Sequence, residues 1–189
     1  MEFRLIYQGA LPAEQRGINS GPEGRAKDKH RLRKLFHPQL RELWKQHPDL
    51  REQASSKFVK MTTPPNLVSH PGPNVTEIVQ ATGTLADHPD AKTWLEHIAG
   101  DHVRCGGKFV PLISHRGGFT CALNILFLRR DNPSNLISNG GDIDNRIKVL
   151  FDGLRMPKTV SELGGYAMEQ DEDPFFACSK TINSSPASR

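Results

Sequence analysis

The chain has 189 residues, 36% of them hydrophobic and 24% charged, with a formal net charge of +4. That length suits one domain with a sizeable core, and the longest apolar run falls far short of the ~18 residues a membrane helix requires. The three cysteines, Cys105, Cys121 and Cys178, are odd in number and widely spaced, which argues against a disulfide framework or a zinc cluster and for a reducing, cytoplasmic setting.

In chain order, Phe3-Arg4-Leu5-Ile6-Tyr7 reads as a strand with no signal-peptide pattern before it. A loop punctuated by Gly and Pro follows, from Gly9 to Gly24. From Asp28 the spacing of Leu32, Leu35 and Phe36, then Leu40, Leu43 and Trp44, predicts a helix. His37-Pro38 interrupts it, so a kink or two helices are expected, the second starting at Pro38, and His47-Pro48 ends the region. Six cations, Arg25, Lys27, Lys29, Arg31, Arg33 and Lys34, lie within ten residues and are opposed only by Asp28. Such a run is most often a solvated helix face. Its density, together with acidic residues elsewhere, favours a phosphate-binding surface.

Thr62 to Pro73, with four prolines, reads as loop. Pro89–Ala99 reads as a short helix with Trp94, Leu95 and Ile98 inward and Gly100 as its stop. Lys108–Ser114 and Phe119–Arg130 read as a hairpin closed by His115-Arg116-Gly117-Gly118. The second of these strands is apolar on both faces, which predicts a central place in the sheet, while Pro111 sends the first to an edge or a bulge. None of the eight histidines makes a metal-ligating pattern, so most are expected at the surface or half-buried. Trp44 and Trp94 fall on apolar helical faces and are expected in the core.

The decisive stretch is Gly140-Gly141-Asp142-Ile143-Asp144-Asn145-Arg146-Ile147-Lys148. Ile147, Leu150, Phe151 and Leu154 recur at helical spacing and predict a core-facing stripe. Asp144, Lys148 and Arg155 share a neighbouring face, with Asp152 near them. Two carboxylates one residue apart are hard oxygen ligands suited to Mg²⁺ or Mn²⁺ on a phosphate substrate, and a lysine beside them can offset charge on a phosphoryl group. The ordinary alternative is a helix N-terminus carrying favourable aspartates and an i, i+4 surface pair worth ~0.2–0.5 kcal/mol. An EF-hand is excluded, because Arg146 and Ile147 stand where an oxygen ligand and a glycine are needed.

At Asp142-Ile143-Asp144-Asn145-Arg146-Ile147-Lys148, followed by Val149-Leu150-Phe151-Asp152-Gly153-Leu154, the chain resembles the RusA family of Holliday junction resolvases. The specific resemblance covers about residues 119–157; Phe3–Pro12 and Lys27–Gln46 match the family's N-terminal strand and basic helix only loosely. The resemblance implies a homodimeric, Mg²⁺- or Mn²⁺-dependent endonuclease that resolves four-way DNA junctions. Asp142 and Asp144 would bind the metal, with Asp171 or Asp173 completing the site. Lys148 would stabilise the transition state or orient the water, and Asn145 and Asp152 would support the site. Arg25, Lys27, Arg31, Arg33 and Lys34, with Arg129, Arg130 and Arg146, would hold phosphates.

The tail departs from the family. Relatives carry an acidic pair after the motif helix and more structure beyond it. Here Gln170–Phe176 supplies acid, and Ala177–Arg189 is polar and Ser-rich. Either Asp171 and Asp173 are the matching ligands, or the acidic pair is lost and catalysis with it. The expected architecture is a single α/β (α+β-like) domain over residues 1–176, a mixed sheet with helices on its faces, followed by a disordered tail over 177–189. The rivals to a junction resolvase are a DNA-binding relative without catalysis and a metal-dependent phosphoesterase acting on a small substrate.

Overall fold

A computed structural model describes residues 1–9, 11–12, 22–63, 75–114, 119–128 and 143–179. The fold is α/β, with four α-helices among the described residues and both parallel and antiparallel strand pairs. The chain divides into two compact units, one of Met1–Glu42 with His102–Arg189 and one of Leu43–Asp101. No helix among the described residues is long and apolar enough to cross a membrane.

In the first unit, β1 (Glu2–Gln8) buries Phe3, Leu5 and Tyr7 on one face. It pairs in parallel with β7 (Ala122–Leu128), in a register from Glu2↔Ala122 to Gln8↔Leu128. The expected hairpin is therefore not the pairing that forms. β6 (Gly107–Ile113) instead runs antiparallel to the short β5 (Val103–Arg104) and parallel to β8 (Phe175–Ser179). Pro111 lies beyond the residues that β5 covers, so its missing N–H costs no ladder bond on that side. The central place expected of β7 is not seen among the described strands, where β1 is its one partner; Leu123 and Ile125 are half-buried, and Leu126, Phe127 and Leu128 are exposed.

The basic helix is one piece, α1 (Pro22–Gln46), with Pro38 inside it. Pro38 is exposed, while Leu32, Phe36, Leu40 and Trp44 are buried on both sides of it. Continuous packing of that stripe outweighs the single backbone bond that a proline removes. Gln39 on α1 covers the edge of β1, accepting the Ile6 N–H at 2.8 Å and donating to the Ile6 carbonyl at 2.9 Å. The strand β8 also corrects the tail: Phe175, Phe176, Ala177 and Cys178 are buried, so the folded unit runs on past residue 176. Phe109, Met156, Phe175 and Ala177 form one core cluster, and residues 180–189 lie outside the described residues.

The second unit holds α2 (Pro48–Ser55), β2 (Lys57–Thr63), β3 (Val75–Gln80), β4 (Lys92–Thr93) and α3 (Trp94–Asp101). His47-Pro48 does not simply end a helix; Pro48 opens a new one, where its fixed φ suits the first turn. The antiparallel pair β2–β3 is an addition to the elements that spacing predicts. The helix expected from Pro89 begins at Trp94 and includes Gly100. Thr93 and Glu96 set that start: the Glu96 carboxylate accepts the Thr93 N–H at 2.7 Å, and the Thr93 hydroxyl accepts the Glu96 N–H at 3.3 Å. Both tryptophans are buried as expected. The histidines are less ordinary than their spacing suggests, since His30, His37, His97 and His102 are all buried.

Candidate active site

The acidic motif opens the helix α4 (Ile143–Leu154). Its inward face differs from the expected one. Val149, Leu150, Gly153 and Leu154 are buried, whereas Ile147 is exposed and Phe151 is 60% exposed. The cause is Gly153. A Cβ there would lie 2.6 Å from the Cβ of Leu32 on α1, so the missing side chain lets the two helices approach on that side. Phe151 is left lining an open groove with Ile113, Cys121, Leu123, Leu154 and Cys178.

The C-terminal end of α4 is held by an arginine that the family resemblance assigns to DNA. Arg33 is 2% exposed. Its guanidinium donates to the carbonyls of Arg155 (3.0 Å), Asp152 (3.0 Å) and Glu162 (2.9 Å) and to the Glu162 carboxylate (3.0 Å). Carbonyls at a helix C-terminus have no partner within the helix, and a cation there also meets the negative end of the helix dipole. Burial pulls the Arg33 guanidinium down to about 10, against the attraction of Glu162, which leaves it charged at neutral pH. Asp152 joins the same network through Lys29 (2.6 Å) and Arg155 (2.7 Å). Burial raises its carboxyl, but the bonds from those two cations outweigh it and hold Asp152 below the usual range. Arg33 and Lys29 are thus removed from any phosphate-binding surface.

A second acidic element packs on another face of α1. The short 3-10 turn Gln170–Glu172 is closed by a capping box, in which the Glu169 N–H donates to the Glu172 carboxylate at 2.9 Å. Lys34 lies 2.6 Å from Glu169 and 3.0 Å from Glu172. One and two turns further along, the His37 Nδ1 accepts the Phe176 N–H at 2.9 Å and Arg41 donates to the Asp171 carbonyl at 3.4 Å. Burial raises the Glu172 carboxyl, but the Glu169 N–H and Lys34 outweigh it and hold the group low. Burial, reinforced by Arg33, pushes the His30 imidazole down to about 4. Burial with Arg41 likewise lowers His37. Both imidazoles are therefore neutral at pH 7.

Of the residues expected at the site, Asp142, Arg129 and Arg130 lie outside the described residues, and Asp144 is placed only as backbone in the first turn of α4. Asn145 is half-buried and Lys148 exposed. Arg146 is turned inward, its Nη1 donating to the Leu11 carbonyl at 2.6 Å. Asp171 and Asp173 have exposed side chains, and one Asp173 oxygen accepts the Lys108 N–H at 2.9 Å. Arg25, Lys27 and Arg31 are exposed and make no ion pair among the described residues. The carboxylate set suits a hard cation such as Mg²⁺ in its chemistry. Among the described residues, no three metal-ligating side chains are gathered to hold one.

No family model, curated protein or solved structure matches the chain.

What spacing alone missed is the internal work of the basic helix. One signal was present. Arg33 stands three, seven and eleven residues before Phe36, Leu40 and Trp44, at the centre of the buried stripe. Glu162 and Glu172, which complete the two networks, carry no pattern in the sequence that marks them.

Proposed function

We propose that this chain is a metal-dependent endonuclease of the RusA kind, acting on branched DNA such as a four-way junction. One observation carries the reading: the Asp-x-Asp-Asn-x-x-Lys segment opens onto α4 with Lys148 exposed, while α1 holds both α4 and a second acidic turn. Asp142 and Asp144 would hold Mg²⁺ or Mn²⁺. Asp152 is occupied by Lys29 and Arg155, and Glu172 by Lys34, so the completing carboxylate falls to Asp171 or Asp173. Once bound, the ion would supply an activated water and stabilise the leaving oxygen.

Lys148 offsets charge that develops on the phosphoryl oxygens, and Asn145 steadies a carboxylate or backbone group beside them. Arg25, Lys27 and Arg31, together with Arg129 and Arg130, hold the DNA backbone. A homodimer suits this reading, supported by Ile6, Leu126 and Leu128, which are exposed apolar residues on neighbouring strands. So does a reducing, cytoplasmic setting, supported by three free cysteines.

The test is a labelled four-way junction and a linear duplex, each incubated with the protein with and without Mg²⁺. Cleavage of the junction alone, and only with metal, is expected. Asp142→Asn and Asp144→Asn should each abolish cutting while leaving junction binding intact or tighter. Full activity in either variant would end the two-carboxylate reading. Junction binding without cutting, in Mg²⁺ and in Mn²⁺, would instead establish a DNA-binding relative that has lost catalysis. Hydrolysis of a small phosphoester, with DNA binding that lacks a steep salt dependence, would favour the phosphoesterase.

A further inference from the structure

Phe151 is 60% exposed, although Val149, Leu150 and Leu154 on the same helix are buried. Its ring forms one wall of an open groove of about 620 Å³, with Ile113, Cys121, Leu123, Leu154 and Cys178. Small-molecule sites span roughly 300–1,000 Å³ and are lined mainly by apolar groups with a few polar ones to fix the ligand. The two thiols count with the apolar lining, because burial pushes Cys178 up to about 12 and raises Cys121 as well, which keeps both neutral at pH 7. The polar lining is Asp152, Arg155, Lys158 and Ser179. Asp152 and Arg155 are bonded to each other at 2.7 Å, with Lys29 and Glu162 on their other sides. Lys158 is exposed and makes no ion pair among the described residues. Ser179 is held nearby through its backbone, its carbonyl accepting the Met156 N–H at 3.1 Å. Four cations, Lys29, Arg33, Arg155 and Lys158, thus face two carboxylates, Asp152 and Glu162, around this groove.

We propose that this groove binds a single long-chain carboxylate, its hydrocarbon chain laid against Phe151, Leu123 and Ile113 and its head met by the Lys158 ammonium and the Ser179 hydroxyl. The surplus of positive charge selects an anionic head over a neutral or cationic one. The wall selects the chain. It is aliphatic apart from one ring and offers no amide, so a nucleobase would leave its edge donors and acceptors unpaired there, whereas a hydrocarbon has none to satisfy. Neither Lys148 nor the acidic turn lines this groove, so the proposal stands apart from the nuclease reading.

The test is calorimetric titration of the full chain with dodecanoate, kept below its micelle-forming concentration, and with dodecyltrimethylammonium, which has the same chain and the opposite charge. Dodecanoate should bind at one site and the cation weakly or not at all. Each methylene removed from the carboxylate should weaken binding about threefold. Lys158→Glu should weaken dodecanoate about tenfold and improve the cation, and Phe151→Glu should abolish dodecanoate binding, with thermal melting as the check on folding. Should Phe151→Glu fail to fold, Phe151→Ser takes its place, with a loss of at least tenfold expected. Absence of dodecanoate binding overturns the proposal, as does equal binding of the two amphiphiles or indifference to both substitutions. Binding to vesicles of anionic phospholipid without binding of monomeric dodecanoate would make the groove part of a membrane-facing surface instead. If the chain sediments as a dimer that Phe151→Glu converts to monomer, a second copy covers the groove and the proposal falls.

Discussion

Six cations lie between Arg25 and Lys34, and the helix sorts them into two groups with different roles. Lys29, Arg33 and Lys34 are held against carboxylates and carbonyls of the α4 end and the acidic turn. Arg25, Lys27 and Arg31 remain at the surface. Local composition is the same for both groups, so composition cannot explain the difference. Position around the helix does. Arg33 shares its side with Phe36, Leu40 and Trp44, and Lys34 lies on the flank that faces the acidic turn, whereas Arg31 points away. Density of charge in a sequence therefore says little about which charges a phosphate could reach.

The sharpest way to break the comparison is to neutralise one member of each group. Arg33→Met strips a buried guanidinium from three carbonyls and leaves Glu162 with Arg155 as its remaining cation. A loss of roughly 3–5 kcal/mol is expected, read by denaturant unfolding. Arg31→Met should change stability by no more than ~0.5 kcal/mol. Equal effects from the two substitutions would erase the distinction.

A slightly smaller effect should appear with pH. His30 is 2% exposed and its pKa falls from 6.5 to about 4 in the folded chain, while His37 shifts in the same direction. In the unfolded chain both take up protons below pH ~6.5, and the folded form resists doing so. Stability should therefore be complete above pH ~6.5 and fall as the pH drops towards 4. His30 alone contributes on the order of 3 kcal/mol. Below that range Asp152 and Glu172, whose folded carboxyls are held low, should add a further loss. A melting temperature that stays flat from pH 7 to 4 would contradict the buried neutral imidazoles.

Packing between the helices gives the next effect. Gly153→Ala would push a methyl group into Leu32, at a cost of ~1–3 kcal/mol, and calorimetry can measure it. The surface group sharpens the contrast from the other side. Replacing Arg25, Lys27 and Arg31 by Ala should flatten the salt slope of DNA binding by about one unit for each phosphate that the protein no longer neutralises, with little change in melting temperature. Smallest of all is the stability change in Lys148→Ala. An exposed pair contributes only ~0.2–0.5 kcal/mol, so cleavage should slow while the fold barely notices. A lower melting temperature with unchanged turnover would make Lys148 merely structural.

Several features were readable from residue spacing. The buried stripe of α1, the existence of the motif helix, the start of β1 and the two core tryptophans all follow from local periodicity. Periodicity reports which side of an element is apolar, and nothing more is needed for those features. Strand pairing was not readable. β6 and β7 look like a hairpin because they are neighbours in sequence, yet β7 pairs with β1 and β6 with β8, across more than sixty residues in the second case. Pro38 and Pro48 show the same limit, since one is tolerated inside a packed helix and the other begins a new one.

The amino-acid sequence by itself determined the chemistry available: two aspartates one residue apart, a lysine one turn on, and an acidic segment near the end. Only the tertiary structure decided which charges remain available. Whether an ionisable group serves a ligand or the fold depends on which partners lie within ~3–4 Å of it, and those partners come from distant parts of the chain. Arg33 reaches Glu162 across 129 residues and Lys34 reaches Glu169 across 135. Separations of that size leave no trace in local spacing, because the contacts exist only once the helices and strands have packed.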